Sequence, residues 1–270
     1  MSGLAIELRG VRKHYGFRQP WVVRDVDLAV DSGSILEIAG ANGAGKSTLL
    51  RILAGAVLPT AGVRHTAEGL ALGYMPERLT APAFSAGAYL HHHVRLRGLD
   101  DDEGRREIAE LAERLQAQHL LGERMARLSK GSLQKVAAMQ SLLGRPRFLV
   151  MDEPFASLDA PSRWTLTEIL RERAERGTAV VFCEHRDGSA QLADRRLVLR
   201  GGRLADETTP DDPGAGAGAS EETPVRFTAD RDASDREIAR LIDDGWHIVR
   251  VQARGRDSVE IRAVRRDESS

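Results

Sequence analysis

The segment Gly40 to Thr48 reads GANGAGKST, and its reading decides the fold. It matches G-x-x-x-x-G-K-[ST] in full, the pattern of a loop that wraps phosphates. The apolar run ILEIA precedes it at residues 35–39, and the helix-period run STLLRILA follows from Ser47. Gly40, Gly43 and Gly45 permit backbone angles closed to other residues. Their N–H groups, with those of Asn42 and Ala44, can therefore turn inward on an anion. The helix adds its positive N-terminal end, and Lys46 reaches the β- and γ-phosphates as a point charge. Ser47 offers a hydroxyl to Mg²⁺, and Thr48 supports the phosphates beside it. A glycine-rich turn of chance composition has no reason to sit between a strand and a helix. The loop is read as a site for ATP with Mg²⁺.

The next informative stretch is FLVMDEP, Phe148 to Pro154. An apolar strand ending in two carboxylates beside a phosphate loop suits Asp152 as a Mg²⁺ contact and Glu153 as the general base toward water. Strand-like runs recur at Ala5 to Leu8, Val22 to Val30, Ile35 to Ala39, Phe148 to Met151, Ala179 to Phe182 and Leu197 to Leu199. Helix-period segments lie between them at Asp102 to Gln118, Gly131 to Leu143 and Ala160 to Arg176. This alternation predicts an α/β fold with a largely parallel sheet. The first two runs are too close for a crossover helix and predict an antiparallel edge sheet. Residues from about 80 to 130 break the alternation and are expected to be helical throughout, as an inserted subdomain. No internal repeat is visible, so one such α/β domain is expected.

After Ala205 the composition changes. Asp206 to Pro224 carries six acids and no base among Gly, Ala and Pro, which predicts a flexible acidic linker. From Val225 order is expected to resume. Ser234 and Glu237 form a capping box ahead of Ile238, Leu241 and Ile242, with Gly245 ending the helix. Strands at Trp246 to Ala253 and Ser258 to Val264 flank a turn at Gly255. The domain reading is therefore 1–205, a linker at 206–224, and a small α+β appendage (β-α-β-β) at 225–270.

The chain has 270 residues, 41% hydrophobic and 29% charged, with a net charge of -1. No global basic field is present to recruit nucleic acid, and none is expected as a partner. A single cysteine, Cys183, excludes an internal disulfide framework and suits a reducing cytosol. The start, MSGLAIELRG, lacks a signal-peptide layout, and no stretch approaches the ~20 apolar residues of a membrane span. Any membrane work is expected to need a second chain.

LSKGSLQKV, Leu128 to Val136, resembles the LSGGQ signature of ABC ATPases and lies just upstream of the acidic pair, as in that family. Tyr15 in KHYG looks like the aromatic that stacks on adenine. Ser157-Leu158-Asp159 looks like the D-loop, and His185 in FCEHR looks like the switch histidine. The resemblance covers roughly Leu4 to Ala205 and leaves out the linker and tail. It implies a P-loop NTPase core of the ABC type. Two copies, identical or not, would sandwich two ATPs head to tail, with Ser129 and Gly131 contacting the γ-phosphate held by the opposite copy and Asp159 also at the nucleotide. It also implies ATP hydrolysis that drives a separate transmembrane permease subunit, with a cytoplasmic location on the inner face of the membrane. Lys130 and Ser132 depart from the signature. Glu77 in GYMPER stands where most members have the Q-loop Gln; a carboxylate ligates Mg²⁺ but does not donate a hydrogen bond. That Glu resembles exporter-type subunits.

Other features carry less. His91-His92-His93 is read as structural, because consecutive helical residues point apart while ligand pairs need i, i+3 or i+4 spacing. Trp21 is a candidate to share the adenine contact, and Cys183 is read as a small buried hydrophobe. The apolar run Ala81 to Leu90 reads equally as subdomain core or as the border of a groove that, by the resemblance, receives a helix of the membrane subunit. Two rival readings are a soluble ABC-type ATPase acting on a macromolecular complex and a nucleotide sensor that does not turn over. One motor domain and no basic stripe speak against the first; Lys46, Asp152, Glu153 and His185 speak against the second.

Overall fold

A computed structural model describes residues 3–16, 19–184, 192–206, 225–230, 246–254 and 258–265, the last three ranges as backbone strands. The chain divides into two compact units, residues 1–209 and 210–270.

The first unit is built on a six-stranded sheet. β3 (Ile35–Ala39), β6 (Phe148–Asp152) and β7 (Ala179–Cys183) are buried at every position. Such unbroken apolar runs are what strands need when both faces of a parallel sheet are covered. With β5 (Leu72–Met75), β8 (Arg195–Arg200) and β9 (Arg203–Asp206) the order is β5-β6-β7-β3-β8-β9. All neighbours are parallel except the β8–β9 hairpin. Phe148 and Val150 join one core with α1 (Lys46–Leu53), while Leu149 and Met151 join the other with the remaining helices. A second sheet, β2-β1-β4, is antiparallel and covers the α1 side; its strands are β1 (Leu4–Lys13), β2 (Val23–Asp31) and β4 (Ala61–Thr66).

The region from about 80 to 130 is less helical than expected. It holds α2 (Ala86–Leu96) and α3 (Asp101–Arg114), then only short 3-10 turns at Gln118–Leu120 and Met125–Arg127. Residues 80–84 are irregular up to the cap at Ser85. Gly98, at φ +65°, closes α2 in a conformation that glycine adopts freely. α4 (Lys130–Leu142) and α5 (Ala160–Glu175) start at side-chain caps from Ser129 and Asp159. β4 and β5 were not anticipated. AGVRHT is mostly exposed and gains its strand character from pairing with β1, and LGYM is too short to show a period.

In the second unit β10 (Val225–Asp230), β12 (Ser258–Arg265) and β11 (Trp246–Arg254) form an antiparallel sheet in the order β10-β12-β11. The expected helix after Ser234, the turn at Gly255, and the linker beyond Asp206 lie outside the described residues.

Candidate active site

Because β3, β6 and β7 are parallel neighbours, their C-terminal ends emerge at one edge of the sheet, where open α/β sheets bind ligands. The phosphate loop leaves β3 at that edge. Gly45 caps α1 at φ +102°, and a Cβ there would stand 2.7 Å from the Val22 carbonyl oxygen. At Gly40 a Cβ would stand 2.6 Å from the Leu199 carbonyl oxygen. The loop is thus pressed against β8 and the residue that leads into β2, and accepts no side chain at either position. Asn42 and Gly43 are exposed on its rim, with Ala44 and Ser47 half-buried behind them. Lys46 is buried, and its Nζ donates to the carbonyls of Gly40 at 2.7 Å and Ala41 at 3.1 Å.

Tyr15 is tied to this loop. Its hydroxyl lies 3.2 Å from Thr48 Oγ1, and Lys13 Nζ stands 5.2 Å from its ring centroid. The ring is 54% exposed, an open platform of the kind that stacks on a base. Trp21 packs edge-on against His14, with ring centroids 4.6 Å apart.

Asp152 ends β6 at 1% exposure. Cys183, the last residue of β7, donates its thiol to Asp152 Oδ1 at 2.9 Å, while Oδ2 is buried without a hydrogen-bond partner among the described residues. A buried carboxylate oxygen left without a partner is costly unless a donor or a cation meets it. The donor set therefore fits Mg²⁺ held through Asp152 and the Ser47 hydroxyl, and a nucleotide-bound Mg²⁺ needs few protein ligands. Burial, reinforced by the Asp152 charge, pushes the Cys183 thiol far above its ordinary range. Cys183 is therefore more than an apolar filler.

Glu153 has φ +53°. For a residue with a Cβ the left-handed region costs roughly 1–2 kcal/mol, so its surroundings must hold it there. Its N–H donates to the Cys183 carbonyl at 3.1 Å. Gln134 of α4 donates from Nε2 to the Glu153 carbonyl at 2.7 Å and to the Pro154 carbonyl at 3.2 Å. The Phe155 N–H donates to Glu184 Oε2 at 3.2 Å. Gln134 and Glu184 escaped the sequence reading. The signal for Glu184 is a carboxylate directly after an unbroken apolar strand; Gln134 shares the buried face of α4 with Gln140 and Ser141, so no local signal singles it out.

The signature segment caps α4. Ser129 Oγ accepts from the Ser132 N–H at 3.1 Å and lies 2.9 Å from the Ser132 hydroxyl. A Cβ added to Gly131 would stand 2.7 Å from the Ser157 carbonyl oxygen, so signature and D-loop touch within one chain. Asp159 caps α5 through the Ser162 N–H at 2.8 Å, and Lys135 lies 3.7 Å away. These bonds hold the Asp159 carboxyl below its usual range, the bonds from Ser162 ahead of the Lys135 charge.

Glu77 follows β5, is exposed, and pairs with Arg78 at 3.6 Å. His185 lies outside the described residues. The three consecutive histidines diverge as expected of a helix: His91 faces Asp101 at 3.4 Å, and His93 packs edge-on against Tyr89 at 4.6 Å. Among the described residues no group of three or more His, Cys, Asp or Glu is gathered to hold a metal ion. The run Ala81 to Leu90 splits: Ala86 and Leu90 are core, while Phe84 is 54% exposed.

A glycine loop between β3 and α1, set at the same sheet edge as a buried Asp152 and a half-buried Glu153, defines a P-loop nucleotide-binding domain. Within that class the chain belongs to the ABC transporter family, whose family model, described as "ABC transporter", matches residues 23–156. It is 34% identical to the aliphatic sulfonates import ATP-binding protein SsuB of Rhodopseudomonas palustris, over 78% of this chain and 76% of that one. It is 33% identical to the zinc import ATP-binding protein ZnuC of Yersinia pestis, over 68% of this chain and 71% of that one. A third relative is the sn-glycerol-3-phosphate import ATP-binding protein UgpC 1 of Rhizobium johnstonii. It is 34% identical over 77% of this chain, and the match spans only 59% of the relative's length. The fold is similar to a solved ATP binding subunit of an ABC transporter, with TM-score 0.69 and 26% identity over 74% of this chain and 88% of that one. A dimeric bacterial ABC transporter cassette gives TM-score 0.68 over 74% of this chain and 96% of that one, at 21% identity.

Proposed function

We propose that this chain is the ATP-binding, ATP-hydrolysing subunit of an ABC transporter, working through a separate membrane-spanning subunit. The observation that carries the reading is the buried Oδ2 of Asp152, unpartnered among the described residues, beside the strained Glu153 at the sheet edge that presents the phosphate loop. Lys46, the loop N–H groups and the end of α1 hold the phosphates. Ser47 and Asp152 would hold Mg²⁺, which would supply positive charge to the phosphates, and Tyr15 stacks on the adenine. Glu153 orients and deprotonates the attacking water. Ser129 and Gly131 of a second copy close over the γ-phosphate, with His185 as its sensor, and the D-loop carries Asp159 to the same interface. Glu77 would be a further carboxylate ligand for the metal. The relatives named above support a transporter role; they are named for import, and none supports an exporter reading of Glu77. Among the described residues no helix is long and apolar enough to cross a membrane. The membrane-spanning partner and the place at the cytoplasmic face belong to the proposed transporter role, which the relatives support.

The test is ATP turnover and ATP binding by Glu153→Gln. We expect unchanged ATP affinity and a loss of kcat of at least ~10²-fold, the size of a missing general base. Phosphate release at the wild-type rate by this variant would take Glu153 out of the role.

A further inference from the structure

We infer that Glu184 is a positioning residue that fixes the pose of Glu153; the inference rests on Glu153 being the group that activates water. β7 is buried along its whole length, and the residue that follows it is a carboxylate at 8% exposure. A carboxylate so far from water is retained where its oxygens have partners to satisfy them.

Backbone bookkeeping shows what Glu184 is for. Between Glu153 and Phe155 the chain has only two N–H groups, because Pro154 has none. The first, on Glu153, donates to the Cys183 carbonyl at 3.1 Å; the second, on Phe155, donates to Glu184 Oε2 at 3.2 Å. Both anchors sit on adjacent residues at the end of β7. On the opposite side Gln134 takes the Glu153 and Pro154 carbonyls at 2.7 and 3.2 Å, and Phe155 O accepts from Leu158 N and Arg163 Nη2, each at 3.3 Å. Every polar backbone group of the three residues is therefore satisfied, which is the condition for holding a non-glycine residue at φ +53°.

Removing the Glu184 acceptor leaves the Phe155 N–H orphaned in the interior, since Phe155 is 3% exposed and packs edge-on to Phe182. The turn then relaxes toward another partner, and Glu153, two residues upstream, returns toward negative φ. Its carboxylate swings off the line to the reacting phosphate. A displacement of this kind, near 1 Å, costs reaction rate and leaves nucleotide affinity intact, because the phosphates are held by a separate loop on β3 and α1.

The experiment measures kcat, KM, ATP affinity and melting temperature for Glu184→Ala, Glu184→Gln and Glu184→Asp in the full chain, beside Glu153→Gln. Glu184→Ala is expected to lose about tenfold or more in kcat with ATP affinity within about twofold. Glu184→Gln keeps an acceptor oxygen in place and is expected to recover to within about threefold of wild type. Glu184→Asp keeps the charge but draws the oxygen back by one methylene, and falls toward Ala. If Glu184→Ala does not fold, the order Gln above Asp decides alone. Unchanged kcat in all variants overturns the inference. So does Gln as slow as Ala, which would make charge and not the acceptor the cause, and so does a parallel loss of ATP affinity, which would make Glu184 a packing residue. Failure of the base reading is seen in a different variant, as turnover by Glu153→Gln, so the two outcomes are separable.

Discussion

Cys183 shows how one side chain is shaped by what surrounds it. At the end of a buried strand its thiol is held protonated, by burial first and then by the Asp152 carboxylate that accepts its hydrogen. The folded thiol therefore titrates above its unfolded value of about 8.5. A group raised on folding stabilises fully below the unfolded value and loses that contribution as pH rises toward the folded one. Serine donates to Asp152 in the same way but does not titrate. We expect the stability gap between wild type and Cys183→Ser to move against wild type by about 1 kcal/mol between pH 8 and 9.5, read by urea unfolding. A gap that stays constant over this range would mean that the thiol is not shielded. The sequence offered only a cysteine after an apolar run, which reads as a small hydrophobe. Its bond to Asp152 depends on β6 and β7 being neighbours in register, and that is a fact of pairing which no local pattern contains.

Among the elements, α3 and α5 are joined by two ion pairs of different depth. Arg114 and Glu172 meet through two bonds, at 2.7 and 2.8 Å, but the side chains are 30% and 41% exposed. Arg173 and Glu107 stand further apart, at 3.5 Å, with only 12% and 9% exposure. Glu107 also accepts the Gly144 N–H at 2.7 Å, and Arg145 and Arg176 crowd Arg173 with like charge. Solvent screening limits the first pair to under about 1 kcal/mol, whereas stripping the carboxylate from the second leaves a buried cation and costs about 3 kcal/mol. Glu107→Ala should thus lower the melting temperature by roughly 6–12 °C and Glu172→Ala by no more than about 2–4 °C. The reverse order would show that bond geometry outweighs burial here. Neither pair was legible in the sequence, because each joins helices more than fifty residues apart. What was legible had local causes: the phosphate loop, the three apolar strands, and the helix-period runs of α4 and α5; the capping bonds of Ser129 and Asp159 came only from the structure. β4 and β5 lacked such causes and were missed.

At the scale of the whole molecule, the hydrogen bonds show where the chain can be cut. Every strand of the six-stranded sheet lies before residue 207, and among the described residues β10, β12 and β11 form a sheet of their own. β9 is the critical margin. It closes the sheet by pairing Leu197 with Asp206 and Arg200 with Arg203, and Arg195 meets Asp206 at 3.1 Å. The hairpin turn also reaches the other sheet, since the Arg24 N–H donates to the Gly202 carbonyl at 2.7 Å and Arg203 pairs with Asp25 at 3.3 Å. A chain ending after Thr209 keeps all of these bonds. A chain ending after Arg200 turns β8 into an open edge and loses the tie to β2 just behind the phosphate loop. We expect the 1–209 protein to bind ATP with the affinity of the full chain and to melt within a few degrees of its main transition. The 1–200 protein should melt clearly lower and aggregate on heating, with weaker ATP binding because Leu199 and Val22 lie against Gly40 and Gly45. Thermal melting and nucleotide titration on the two truncations check both statements. Loss of ATP binding by the 1–209 protein would show that residues 210–270 complete the nucleotide domain, and equal behaviour of the two truncations would show that β9 is dispensable to it.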